Sequence, residues 1–300
     1  MLLLIKWHNI IVVFRTGRKL DIQDPRSSSF AHLLSIFPEC KFKYLLLENV
    51  KGFETSEARD FLLSTLKKCE MTWQEFLLSP TDINVPNSRL RYYLIAKKVN
   101  LEWCFERTEE LMSGVPFWDS KYSSPYASVA ADHDSAWDKY RPKSNVPVTE
   151  ADEAESHVWC VGDILEQSDA LKTHLIPTKL VNKYGIAMDI VTAESTKTNC
   201  FTKGYGTYIK GTGSYIAQEK EVHEDLLGME SSGISISDKL VNMKLRYFSP
   251  KEVARLLCFP DDFTFPPALS IKQCYRSLGN SINVYVVAIL LSLLLTESRD

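Results

Sequence analysis

The sequence predicts an α/β fold in which a large sheet-and-helix domain is interrupted by a smaller, β-rich one. Three observations carry that prediction. Short apolar runs recur between Tyr44 and Lys98 with a helix-period segment among them, the rhythm of strands in a largely buried sheet alternating with helices. From Asn100 to about Tyr184 this rhythm gives way to isolated tryptophans with recurring Ser, Pro and acidic residues. From Leu245 onward helix-period text returns and ends in the apolar run Val284 to Leu295.

In chain order, Tyr44-Leu45-Leu46-Leu47 reads as the first short strand. Ser56 to Lys67 has helical spacing, and Ser56 with Arg59 and Asp60 marks its start without forming a capping box. Glu75-Phe76-Leu77-Leu78 and Arg91 to Ala96 supply two further strands. Ser123-Ser124-Pro125, Arg141-Pro142-Lys143-Ser144 and the acidic run Glu150 to Glu155 mark a loop-rich insertion. Met188 to Ser214 combines glycines with β-branched residues, as a small β-rich unit does. Val284 to Leu295 is shorter than the ~20 apolar residues a membrane span needs and reads as a buried helix. The boundaries that follow are 1–99, 100–244 and 245–300, the last returning to the first domain.

With 300 residues, 45% hydrophobic and 24% charged, the chain can bury a core and accommodate about two domains. A net charge of −3 gives no global attraction to nucleic acid, so such a partner would need a local basic face. Seven cysteines, none in a CxxC pair and odd in number, suit a reducing interior. That points to the cytoplasm, with the nucleus as a second compartment, and to no metal. The apolar stretch Leu2 to Phe14 is interrupted by Lys6, His8 and Asn9 and precedes no small-residue cleavage site, which argues against a secretory signal.

Several positions carry chemistry. Glu48 follows the apolar run at Tyr44 to Leu47, which places a carboxyl group at the carboxyl end of a strand, where open α/β sheets gather ligands. Arg89 and Arg91 are two apart on an expected strand and would project from one face as a paired cation. Gly279-Asn280-Ser281 forms a polar turn just ahead of an apolar helix, a place to touch a polar cofactor. Cys200-Phe201-Thr202-Lys203-Gly204-Tyr205-Gly206 mixes aromatics, lysine and glycine as base stacking and phosphate contact require. For each position a plain reading stands beside this one: a surface carboxylate, snorkelling arginines, a loop before a helix, a glycine-rich hairpin.

Taken together, the segments resemble the tRNA cytosine-5 methyltransferases of the type-2 DNA methyltransferase group, which modify aspartate tRNA in its anticodon loop. Leu46 to Phe53 is similar to the ENV motif of that family, Pro86 to Tyr92 to its arginine motif, and Cys200-Phe201-Thr202 to its CFT element. Leu245 to Pro260 and Gly279-Asn280-Ser281-Ile282-Asn283-Val284 are similar to its last two motifs, so the resemblance covers 14–100 and 185–295. It implies a Rossmann-like methyltransferase sheet with an inserted target-recognition domain, S-adenosylmethionine as cofactor and tRNA as partner. DNA is the second candidate substrate. The resemblance also implies that Glu48 protonates cytosine N3 and Arg89 holds O2 with support from Arg91. It further implies that Asn280 and Ser281 line the cofactor pocket, while Cys200, Phe201, Thr202, Lys203 and Tyr205 serve the substrate.

Two features of the family are not found. No glycine-rich cofactor loop precedes Phe14-Arg15-Thr16-Gly17-Arg18, and Ile10 stands where a Pro-Cys dipeptide would place the nucleophile. The expectation is therefore a truncated chain, its N-terminal strands missing, with no methyl transfer, weak cofactor binding and a sheet edge open to self-association. A non-catalytic RNA-binding remnant and an α/β fold carrying relic motifs are the competing readings.

Overall fold

The computed structural model describes residues 2–6, 28–116, 159–166, 174–219 and 236–296. The features at 10, 14–18, 123–125, 141–144 and 150–155 lie outside the described residues. Two compact units are present, the first bounded by Met1–Ser79, Leu90–Trp118 and Val286–Asp300, the second by Pro80–Arg89 and Asp119–Tyr285.

The first unit is built on strand β1 (Leu2–Lys6), helix α1 (Ser28–Ile36), β2 (Tyr44–Val50), α2 (Glu57–Lys68), β3 (Met71–Leu78) and β4 (Arg91–Lys98). Its sheet runs β1-β2-β4-β3. Only β1 and β2 are parallel; β4 lies antiparallel to both β2 and β3. That corrects the picture of Glu48 just past the end of a strand in a parallel sheet. The ladder with β4 continues through Glu48↔Tyr93 to Val50↔Arg91, so Glu48 lies inside β2.

Alternation along β2 and β4 sorts the side chains onto two faces. Leu45 and Leu47 with Tyr92, Leu94 and Ala96 join the core formed with Phe30 and Leu34 of α1 and Ala58, Leu62 and Leu66 of α2. Each fully buried leucine there contributes about 1.5–3 kcal/mol. The α2 positions recur at helical spacing, and Ser56 Oγ accepts the Arg59 amide hydrogen at 3.1 Å, satisfying one orphan donor of the first turn.

The second unit contains α3 (Thr178–Tyr184), β5 (Asp189–Val191), β6 (Ser214–Ile216), α4 (Ile236–Asn242), β7 (Arg246–Tyr247), α5 (Pro250–Leu256) and α6 (Ile271–Gly279). β6 is central, parallel to β5 and antiparallel to β7. The pairing of β7 with β6 explains why 245–285 groups with this unit, whereas the sequence reading returned the chain to the first domain at 245. Arg246 and Glu252, both buried, form a two-pronged ion pair at 2.8 and 2.9 Å that joins β7 to the start of α5.

The last helix, α7 (Val284–Leu295), belongs to the first unit from Val286 on and is buried at Val286, Ala288, Ile289, Leu290 and Leu294. Ile271–Leu295 is long and apolar enough by composition to cross a membrane. It is two helices, interrupted at 280–283, and half of its most apolar stretch is packed inside the protein.

Candidate active site

Within the first unit, Glu48 and Arg91 share a face of the sheet. Glu48 is opposite Tyr93, and Arg91 precedes Tyr93 by two, so the pair are diagonal neighbours within reach of long side chains. Arg91 Nε lies 3.4 Å from Glu48 Oε1, and Arg91 Nη1 donates to the Leu90 carbonyl at 2.8 Å. Glu48 is 3% exposed, so its carboxyl group is held in a nearly dry setting beside a cation. Asn49, fully buried, turns its Oδ1 back to the Val50 amide at 2.8 Å, which fixes the backbone immediately after Glu48.

The opposite face of β4 holds this arrangement in place. Tyr92 donates its hydroxyl to Glu75 Oε1 at 2.6 Å, and Glu75 also accepts from Arg59 Nε at 2.8 Å and Nη2 at 2.6 Å. The Tyr92 ring lies 4.9 Å from that of Phe53. Burial, reinforced by the Glu75 carboxylate, raises the Tyr92 phenol well above its ordinary range, so it stays a neutral donor. With Tyr92 anchored inward, alternation turns Arg91 to the Glu48 side.

Arg89 does not share this strand. It precedes β4, belongs to the second unit and is 2% exposed. Its Nη1 donates to the Phe201 carbonyl at 3.2 Å and lies 3.3 Å from Cys200 Sγ; its Nη2 donates to Gly279 O at 3.2 Å and Ser281 O at 2.5 Å. Arg91 opens β4, while Arg89 lies ahead of it and makes its own set of hydrogen bonds. The four Nη hydrogens of Arg89 point at protein acceptors, and Arg91 stands beside the Glu48 carboxyl group.

Arg89 thus fastens the CFT element to the Gly279-Asn280-Ser281 turn. Its own segment is held by Thr198, whose amide donates to Pro86 O at 3.0 Å and whose carbonyl accepts from the Ser88 amide at 2.8 Å. Asn87 Nδ2 donates to Thr198 Oγ1 at 3.3 Å. Asn280 caps the end of α6 and is exposed, while Ser281 is half-buried and its Oγ makes no hydrogen bond among the described residues. Asn283 is a structural member of the same run, donating to Leu256 O at 3.2 Å.

The five expected substrate residues separate by burial. Phe201 and Tyr205 are 2% and 1% exposed, so neither can stack on a base as expected. Tyr205 packs edge-on against Phe201 at 4.8 Å and Tyr275 at 4.9 Å, donates to Ser214 O at 2.7 Å and accepts from the Phe248 amide at 3.0 Å. Burying these rings in the core cluster removes more apolar surface than surface stacking would. Cys200 and Thr202 are half-buried, and Lys203 is exposed. The outward aromatic of this loop is Tyr208, 67% exposed. Sequence pattern offered no means to choose between the two tyrosines.

The model of the C-5 cytosine-specific DNA methylase family matches residues 15–295. The human tRNA (cytosine(38)-C(5))-methyltransferase is 38% identical over 93% of this chain and 78% of its own length. A Dictyostelium discoideum DNA (cytosine-5)-methyltransferase is 35% identical over 95% of this chain and 75% of its own length. Among solved structures, that of Spodoptera frugiperda DNMT2 superposes with a TM-score of 0.72 at 33% identity, covering 98% of this chain and 79% of that one.

Proposed function

Because this chain belongs to the C-5 cytosine-specific DNA methylase family, we propose that it serves S-adenosylmethionine-dependent methylation of cytosine C5 in tRNA, the anticodon loop of aspartate tRNA being the substrate. The observation that carries the proposal is the Glu48–Arg91 pair, a nearly dry carboxyl group 3.4 Å from a guanidinium on one sheet face. Cytosine C5 is a poor nucleophile until a thiolate adds at C6, and that addition needs a proton delivered to N3 and a cation near O2. In our reading Glu48 delivers the proton and Arg91 stabilises O2. Arg89, whose Nη hydrogens are engaged by the Cys200–Phe201 and Gly279–Ser281 segments, is assigned to holding those loops instead.

An exposed amide and a half-buried hydroxyl on a fixed turn fit the polar parts of S-adenosylmethionine, so Asn280 and Ser281 are the residues we assign to it. Once bound, the cofactor supplies the methyl group. The thiolate is the one component to which no residue of this chain is assigned, since none of its seven cysteines follows a proline. The second reading is an RNA-binding member of the family without catalysis. We also infer that β1, at the edge of the sheet among the described residues, favours self-association. Concentration-independent monomers in sedimentation velocity would refute that inference.

The deciding experiment incubates the protein with labelled S-adenosylmethionine and aspartate tRNA. Transfer that falls at least ~100-fold in Glu48→Gln and in Arg91→Ala supports the proposal, since removal of one electrostatic donor costs ~10²–10³ in rate. Unchanged transfer in either variant refutes the role assigned to it. Saturable tRNA binding without transfer selects the second reading, and transfer to duplex DNA alone replaces tRNA as substrate.

A further inference from the structure

We propose that Tyr208, on the loop that also carries Lys203 and Lys210, is a stacking platform for an unpaired base of the RNA, a contact that rests on the tRNA reading above.

The loop from Thr202 to Thr212 is fixed from below. Thr202 N donates to Thr212 O at 2.9 Å, Tyr205 N donates to Thr202 O at 3.0 Å, and Tyr208 N donates to Gly204 O at 2.9 Å. Thr212 Oγ1 donates to Tyr208 O at 2.7 Å, and the Tyr215 hydroxyl donates to Ile209 O at 2.9 Å. Tyr205 is the inward pin. Gly206, at φ +74°, reverses the chain directly above the Tyr275 ring, where an added Cβ would sit 2.7 Å from Tyr275 Cδ2. The reversal turns the next aromatic outward. Tyr208 lies against Gly204, whose missing Cβ would fall 3.1 Å from Tyr208 Cδ2, and remains 67% exposed.

Two thirds of the Tyr208 side chain is left to solvent on a loop whose backbone is braced on both sides. Lys203 and Lys210 are both exposed and neither makes an ion pair among the described residues. An exposed aromatic on a loop that also carries two exposed lysines suits a nucleotide: the base stacks and the phosphates meet the ammonium groups. A paired base offers no free face, so the partner is a single-stranded stretch. Because the loop is already ordered, binding does not have to order it.

Fluorescence anisotropy with a labelled anticodon stem-loop of aspartate tRNA, and with the corresponding stem duplex lacking the loop, tests this. Tyr208→Ala should weaken stem-loop binding roughly 5- to 100-fold while Tyr208→Phe stays within about twofold of the native protein. Duplex binding and thermal unfolding should not change. Lys203→Ala and Lys210→Ala should each lower the slope of log affinity against log salt by about 0.7. Native binding that Tyr208→Ala leaves intact, or an equal loss on the duplex, overturns this contact alone. Failure of the native protein to bind the stem-loop overturns both it and the tRNA reading.

Discussion

Gly279 and Lys203 meet backbone to backbone: a Cβ added to Gly279 would lie 2.1 Å from the Lys203 nitrogen and 2.2 Å from the Thr202 carbonyl carbon. No side-chain rearrangement relieves such a contact, so the end of α6 can reach the CFT segment only because residue 279 has no side chain.

Gly279→Ala should accordingly destabilise the protein by ~3 kcal/mol or more, the upper end of overpacking costs. Gly114→Ala, where an added Cβ meets nothing within 4 Å, is the matched control and should change stability by less than ~0.5 kcal/mol. Chemical denaturation of both variants measures the difference.

Arg89→Met removes the donor shared by Phe201, Gly279 and Ser281 and leaves their carbonyls without it, the first in a buried and the other two in a partly buried setting. At about 1–3 kcal/mol for each stranded group the variant should lose at least ~3 kcal/mol. Arg91→Met, on a side chain 18% exposed, should lose less. An Arg89 variant of native stability would refute the structural role given to it.

Lys97, next to last in β4, is a fully buried cation whose Nζ donates to Leu294 O at 3.3 Å and Thr296 O at 3.4 Å, and lies 4.7 Å from the Trp103 ring centre. It closes the last turn of α7, where carbonyls lack helical partners and the helix dipole favours positive charge. Lys97→Met should speed amide exchange in the last turn of α7 and cost about 1–3 kcal/mol. Exchange rates equal to those of the native protein would show that packing alone holds the helix.

Alkali should unfold the protein early. Burial pushes the Cys258 thiol from 9.0 up to about 12 and the Tyr215 phenol from 10.0 up to about 12, and raises Tyr205 well above its ordinary range. These groups are neutral when folded and ionise more readily when unfolded, so above pH 9 the unfolded state binds fewer protons. Their contribution is full below pH 9 and is lost as pH rises towards 12. Melting temperatures measured from pH 8 to 11 should fall steadily above 9. Phe replacing Tyr215 should reduce that slope.

The sequence was legible where structure is local. The runs at Tyr44, Glu75 and Arg91 form strands, and the segments after Ser56 and from Val284 form helices. These three strands proved longer than expected, because a ladder extends as far as a neighbour supplies backbone partners: β2 continues through Glu48 to Val50 opposite Arg91. The direction of β4 was not legible, since a period of two identifies faces without saying which way the neighbour runs.

The sequence by itself determined the α/β class, the family motifs and their order, because each depends on residue type and spacing along a few neighbouring positions. Only the tertiary structure decided that Arg91 stands beside Glu48, that Arg89 binds the carbonyls of Phe201, Gly279 and Ser281, and that Tyr205 goes inward while Tyr208 goes out. The physical reason is the same in both cases. Residues of one type compete for a buried place, and the outcome depends on distant partners: Glu75 and Phe53 anchoring Tyr92, Gly279 and Ser281 engaging Arg89, and Tyr275 meeting a left-handed Gly206.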